Sequence, residues 1–307
     1  LATSSRAEAA RRFLDPKTLQ KISRLDIIAR LVVEGSVTGL HKSPFHGFSV
    51  EFAEHREYAP GDDPKHIDWK VYGRSDRFYI KEYEEETNLT ATILLDCSES
   101  MKFKGEPDRI SKLEYGSMIA ASLAYLVLRQ RDSVGLVTFD EKIRSFVPPS
   151  SHPSHRNVLL HTLNTLEPQQ RTTIGPVFHE MAERIKKKGL VIIISDLFDD
   201  PATILSGLRH FRHRRHEVIL FHVLDLWEKT FPFESMTKFR GLEMLGEVTA
   251  DPRAVRQAYL EELERFTWEI KRGCRQDRVD YVPIDTSMPL DVALTSYLAT
   301  RAEMKLS

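Results

Sequence analysis

Cys97 and Cys274 are the only two cysteines in 307 residues. That is too few for a disulfide framework and points to a reducing compartment, the cytoplasm by default. No apolar run approaches the ~18 to 20 residues of a membrane-spanning helix. The opening residues, LATSSRAEAARRFLD, carry no apolar signal core, so the expectation is a protein neither inserted nor exported. A charge surplus is also missing: 44 Lys and Arg stand against 45 Asp and Glu, for a net charge of −1. No global field therefore steers the chain toward nucleic acid or an anionic membrane. No Gly-Lys pair occurs anywhere, which removes the phosphate loop of an NTPase.

What is present is alternation. From residue 91 onward, apolar segments with strand character (91–96, 133–140, 142–149, 189–197, 217–225 and 278–285) are separated by helical stretches (109–131, 153–164, 175–188, 201–214, 252–273 and from about 289). Continuous apolar strands between helices predict an α/β fold with a mostly parallel central sheet flanked by helices on both faces. Residues 239–249 read as one or two further strands extending that sheet. Ahead of this region, Asp15 and Pro16 open an amphipathic helix over 15–33, and GFSVEF and RFYIKEY show the period-2 alternation of strands. The expected division is an N-terminal helix with a β-rich extension at 1–89, then the α/β domain at 90–307.

In open α/β sheets, ligands gather at the carboxyl ends of strands. Asp96, Asp196 and Asp225 each end one, and each taken alone could be an N-cap for the following helix. Asp96 is accompanied. In Asp96-Cys97-Ser98-Glu99-Ser100, alternation turns Asp96, Ser98 and Ser100 the same way and Cys97 and Glu99 away. One carboxylate and two hydroxyls are all oxygen donors, a set suited to a hard cation such as Mg2+ or Mn2+.

The motif following a buried strand resembles the metal-ion-dependent adhesion site of the von Willebrand factor A domain. The resemblance implies two further ligands, a threonine from a second loop and an aspartate from a third. RTTIG (171–175) supplies Thr172 and IIISDL supplies Asp196, although Arg171 stands where that family has glycine and Thr173 where asparagine is common. A second resemblance is carried by residues 39–86, through Ser43, Gly47, REYAPGDD (56–63), IDW (67–69) and KEYEEE (81–86). These residues are similar to the segment that defines domain-of-unknown-function family 58. That likeness implies a von Willebrand factor A-like fold and a MoxR-type AAA+ ATPase as partner, in chaperone-like assembly or maturation of other proteins. The Pro60-Gly61 turn reads either as a structural pin or, with Trp69 as an anchor, as a partner contact.

Other candidates compete. LRHFRHRRHEV (208–218) places Arg209, Arg212, His213 and His216 on one predicted helical face. This could be a phosphate-binding stripe, a histidine metal cluster with His210, or the solvated end of a helix favoured by its dipole. Asp96 could instead be the nucleophile of a Mg2+-dependent phosphatase or hydrolase, but the second acid of an Asp-x-Asp pair is Ser98 here. Neither Ser98 nor Ser100 lies in Gly-x-Ser-x-Gly. The expectation is a non-enzymatic protein-binding module whose metal is completed by an acidic side chain of a partner or client protein.

Overall fold

A strand buried on both faces needs apolar side chains on both, and four segments meet this requirement. In the computed structural model they are β3 (Thr90–Asp96), β4 (Ser133–Phe139), β6 (Leu190–Ser195) and β7 (Glu217–Leu224), with nearly every side chain buried. The structure describes residues 50–58, 67–75, 77–85, 89–167, 173–240, 246–290 and 292–293. Those up to 85 belong to one compact unit and those from 89 onward to a second. The expected helix at 15–33, the Pro60-Gly61 turn, Arg171 and Thr172 lie outside the described residues.

In the first unit, β1 (Val50–Glu57) pairs antiparallel with β2 (Tyr79–Glu85), with an irregularity between Phe52 and Glu54. Between them runs α1 (Trp69–Ser75). Asp68 stands before it, its Oδ1 accepting the Val71 N–H at 3.3 Å and its carbonyl the Tyr72 N–H at 3.0 Å. Trp69, Tyr72 and Phe78 form a ring cluster in which Tyr72 stacks on Phe78 with centroids 4.5 Å apart.

The second unit is built on a six-stranded sheet. Besides the four strands above it contains β5 (Ile143–Ser150) and β10 (Asp280–Asp285), in the order β10-β7-β6-β3-β4-β5. All neighbours pair in parallel except β4 and β5. The order reverses at β3, so the space beyond the carboxyl ends of β3 and β6 is the switch point of a doubly wound sheet. This is the von Willebrand factor A-like arrangement that the resemblance implies.

Period-2 alternation sends β3 side chains into two cores. Ile93 and Leu95 join α2 (Lys112–Arg129) and α3 (His155–Asn164) on one face. Leu94 joins α4 (Ile174–Arg184), α5 (Pro201–His213) and α7 (Pro252–Gln276) on the other. Each buried Leu or Ile contributes roughly 2 kcal/mol, so the frame under the strand ends is firmly held.

One expectation is corrected. The 239–249 region does not extend the main sheet: β8 (Thr237–Arg240) and β9 (Glu247–Ala250) pair antiparallel in a two-stranded sheet of their own. The physical reason is composition: TKFR and EVTA are short and at least half polar, and cannot be buried on both faces as a central parallel strand must. The short helix α6 (Leu226–Thr230) follows β7 directly.

Candidate functional site at the carboxyl ends of the parallel strands

β3 delivers Asp96 fully buried, and the chain turns at once, so that Ser98 and Ser100 are also buried. The Ser98 N–H donates to Asp96 Oδ1 at 2.9 Å, and the two serine hydroxyls are hydrogen-bonded to each other at 3.0 Å. The two serine hydroxyls thus meet each other, with the Ser98 side chain also against the Asp96 carboxylate. Cys97 turns the other way, its Sγ donating to the Phe139 carbonyl at 3.2 Å. Burial, with Asp96 and Asp140 nearby, pushes its thiol up to about 12, so it is an inert structural cysteine.

β6 brings its own end alongside. The Ser195 hydroxyl donates to Asp96 Oδ2 at 2.6 Å and accepts the Leu197 N–H at 2.9 Å. Leu197 adopts φ 58° with its side chain fully buried. A left-handed leucine costs roughly 1 to 2 kcal/mol, and the Ser195 bond and core burial offset it. The turn leaves Phe198 54% exposed at the rim. Asp196 is buried, with Oδ1 accepting a long 3.4 Å bond from the Phe198 N–H and Oδ2 accepting from Lys112 Nζ at 2.7 Å. Behind it, His222 Nε2 lies 3.1 Å from the Asp196 carbonyl and Nδ1 lies 2.6 Å from the Tyr281 hydroxyl. A carbonyl can only accept, so Nε2 carries the proton and Nδ1 accepts from Tyr281.

The electrostatics follow from burial. Asp96 is pushed up to about 7, first by desolvation and then by the Asp196 carboxylate, against the hydrogen bonds it accepts. Burial pushes His222 down to about 4. Burial alone would also depress Lys112, but Asp196 and Glu228 outweigh it and hold the ammonium above its ordinary range. Burial raises Glu228, with Lys112 opposing. Among the described residues, one buried ammonium thus pairs with two carboxylates, Asp196 and Glu228, and Asp96 lies close enough to Asp196 to be raised by it. The excess negative charge and the oxygen-only donors match what a hard divalent cation requires. No group of three or more His, Cys, Asp and Glu arranged to hold a metal occurs among the described residues. The candidate set includes two such side chains, Asp96 and Asp196, and its other members are hydroxyl residues.

The other sequence candidates separate. Asp225 is an N-cap: its Oδ1 accepts the Trp227 N–H at 2.8 Å and its Oδ2 the Thr286 hydroxyl at 2.9 Å. His210, His213 and His216 are not brought together. His210 pairs with His179 and Glu183, while His216 stands past the end of α5, beyond Arg215 at φ 65°, and is buried. Arg209 pairs with Asp277, and Arg212 donates to the carbonyls of Asp277 and His216. Most of the basic run thus ties α5 to Glu183 of α4 and to Asp277 past α7 rather than forming a phosphate stripe.

Several residues escaped sequence reasoning. Lys112, Ser195, Glu228 and His222 hold the site. Asp140, past β4, is ion-paired with Arg144. Asp199 accepts the Ile174 N–H at 2.8 Å, tying the start of α4 to the loop after β6. One signal was available: Lys112 is a cation in the first turn of a helix, where the dipole disfavours it.

A family model described as "Protein of unknown function DUF58" matches residues 54–267. The uncharacterized protein Rv1480 of Mycobacterium tuberculosis is 26% identical over 215 residues, 69% of this chain and 66% of that protein. The alignment thus spans just under two thirds of the relative's length. Among solved structures, the conserved hypothetical protein BatB from Bacteroides thetaiotaomicron is 18% identical, with a TM-score of 0.48 over 70% of this chain and 99% of that one. The SpRpn10 VWA domain is 13% identical, with a TM-score of 0.39 over 68% and 95%. The strand order, rather than these likenesses, carries the fold. No helix among the described residues is long and apolar enough to cross a membrane.

Proposed function

We propose, from the premise that this chain belongs to the DUF58 family of proteins of unknown function, that it is a non-enzymatic protein-binding module. In this reading a divalent cation, Mg2+ or Mn2+, at the ends of β3 and β6 captures a carboxylate from another protein. The observation that supports it is the convergence of Asp96, Ser98, Ser100 and Asp196 at the switch point, with buried negative charge in excess. When bound, such an ion supplies positive charge and a position open to one more anionic ligand. The chain's own residues do the positioning. Ser195 fixes Asp96, the Ser98 and Ser100 hydroxyls offer neutral donors, Lys112 and His222 fix Asp196, and Thr172 is the fifth ligand. Two hydroxyls in place of acids leave the ion incompletely neutralised, and so receptive to a partner's aspartate or glutamate.

The partner in this reading is a MoxR-type AAA+ ATPase, a client protein with an exposed acidic side chain, or both, in the cytoplasm. The ATPase supplies work and this chain supplies recognition, in chaperone-like assembly or maturation. Adhesion is favoured over a Mg2+-dependent phosphatase because Asp96 is fully buried and both its oxygens accept hydrogen bonds. A phosphoryl-accepting nucleophile would have to leave that arrangement to reach its substrate.

Calorimetry with Mg2+ and Mn2+, paired with capture of a co-expressed MoxR-type ATPase with and without chelator, tests the proposal. Asp96→Ala, or Ser98→Ala with Ser100→Ala, is expected to lose ion binding and capture together while remaining folded. Absence of ion binding with capture indifferent to chelator would overturn it. Phosphoester turnover abolished by Asp96→Asn would favour the enzymatic alternative instead.

A further inference from the structure

Lys112 occupies an unfavourable position for a cation. It is the first residue of α2, facing the positive end of the helix dipole, and its side chain is only 2% exposed. A buried ammonium is tolerated only when paired. Nζ donates to Asp196 Oδ2 at 2.7 Å and to Glu228 Oε1 at 2.6 Å, with the Phe103 ring centroid 5.7 Å away. The backbone secures the arrangement. A capping box of Ser111 and Glu114 starts α2, and the Lys112 N–H donates to the Phe103 carbonyl at 3.2 Å. Glu228 is fixed from its other side, its Oε2 accepting the Asp225 N–H at 2.8 Å.

One oxygen of Asp196 is therefore committed to Lys112, and the other accepts a long bond from Phe198. We propose that Lys112 is a positioning residue for the adhesion site. It acts as an internal counter-cation that draws on the charge of Asp196, loosens the hold of the site on its ion and leaves that ion electrophilic toward a partner carboxylate. This rests on the metal-dependent reading above. Glu228 opposes the effect, because by sharing the ammonium it limits how far Asp196 is neutralised.

The two residues therefore shift ion affinity in opposite directions. Glu228→Gln leaves the ammonium wholly to Asp196, and Mn2+ binding is expected to weaken several-fold. Glu228→Gln combined with Lys112→Met removes both charges and returns Asp196 to the ion, so binding is expected to tighten about tenfold. Lys112→Met alone would strand the buried Asp196 and the part-buried Glu228 carboxylates, which is why the charges are removed as a pair. Mn2+ titration of the full chain followed by electron paramagnetic resonance reads the affinities, and urea unfolding in chelator checks the fold. Tightening in the double variant with weakening in Glu228→Gln supports the proposal. Both variants shifting the same way, or neither shifting, overturns it while leaving the metal reading intact. Absence of Mn2+ binding in the parent chain overturns both. If the double variant does not fold, an unchanged or tighter Glu228→Gln overturns the proposal and a weaker one, with unfolding in chelator unchanged, supports it.

Discussion

The Ser195 hydroxyl donates to Asp96 Oδ2 at 2.6 Å, joining the carboxyl ends of two neighbouring parallel strands through a fully buried bond. Ser195 Oγ in turn accepts the N–H of Leu197. One small side chain therefore orients the first acid of the site and supports the left-handed residue beyond the second. Ser195→Ala removes both bonds from buried partners. At roughly 1 to 3 kcal/mol for a buried group left unsatisfied, urea unfolding should show a loss of about 2 kcal/mol. Weaker Mn2+ binding should accompany it, because Asp96 is released. A stability equal to that of the parent would remove Ser195 from this role.

The pH dependence of stability in chelator contains two opposed contributions. The folded pKa of Asp96, about 7, lies above its ordinary 3.8, so its contribution is full in acid and is lost as pH rises through about 7. The folded pKa of His222, about 4, lies below its ordinary 6.5. Its contribution is full above 6.5 and is lost as pH falls toward 4. His216, also lowered by burial, acts in the same sense as His222, and Glu228, raised by burial, in the same sense as Asp96. The parent is therefore expected to vary little between pH 4.5 and 6.5. Asp96→Asn removes the first contribution, and its stability should fall on acidification by roughly 3 kcal/mol across the His222 window. Equal slopes for parent and variant in urea titrations at each pH would contradict these shifts.

The fold was legible because its information is local and repetitive. ILL, VIII and VILF are apolar on consecutive positions, which only a doubly covered strand requires, and strand ends were located within about two residues. Asp96, Ser98 and Ser100 were legible because alternation acts over five residues of one turn. Lys112 and Glu228 were not: they meet across 116 residues of chain, and each has an ordinary local explanation, one as a charged helix-start residue and the other as the acid of a capping box. His216 was misplaced for a related reason. The charge run around it continues the helical period, but the helix stops at His213 and the left-handed Arg215 turns His216 into the core. The 239–249 segment shows the limit of alternation, which identifies a strand without stating which sheet it joins.

Close approach of the backbone gives a further prediction. A Cβ on Gly105 would fall 2.2 Å from Cγ of Trp227, so the loop between Ser100 and Ser111 rests directly against α6, the helix that carries Glu228. Gly105→Ala forces one of the two to move, and overpacking of this kind costs roughly 1 to 3 kcal/mol. Because Lys112 depends on both elements, Mn2+ affinity should change along with the urea midpoint. A shifted midpoint with unaltered affinity would show that the contact is purely structural.

Phe198 separates recognition from ion binding. It is 54% exposed, two residues past Asp196, and turned outward by the left-handed Leu197 that the buried Ser195 supports. A lone exposed phenylalanine needs no explanation by itself. Here, however, the backbone is held in a costly conformation that presents it at the rim of the acid pair, where a partner contributing a carboxylate would arrive. Phe198→Ala should alter stability by no more than about 0.5 kcal/mol, as exposed substitutions do, and should leave Mn2+ affinity unchanged. Capture of a co-expressed MoxR-type ATPase should nonetheless fall at least severalfold, because an aromatic side chain beside a charged contact is a frequent anchor. Undiminished capture would confine recognition to the ion and its ligands, and the strain at Leu197 would then serve only to fix the Asp196 turn.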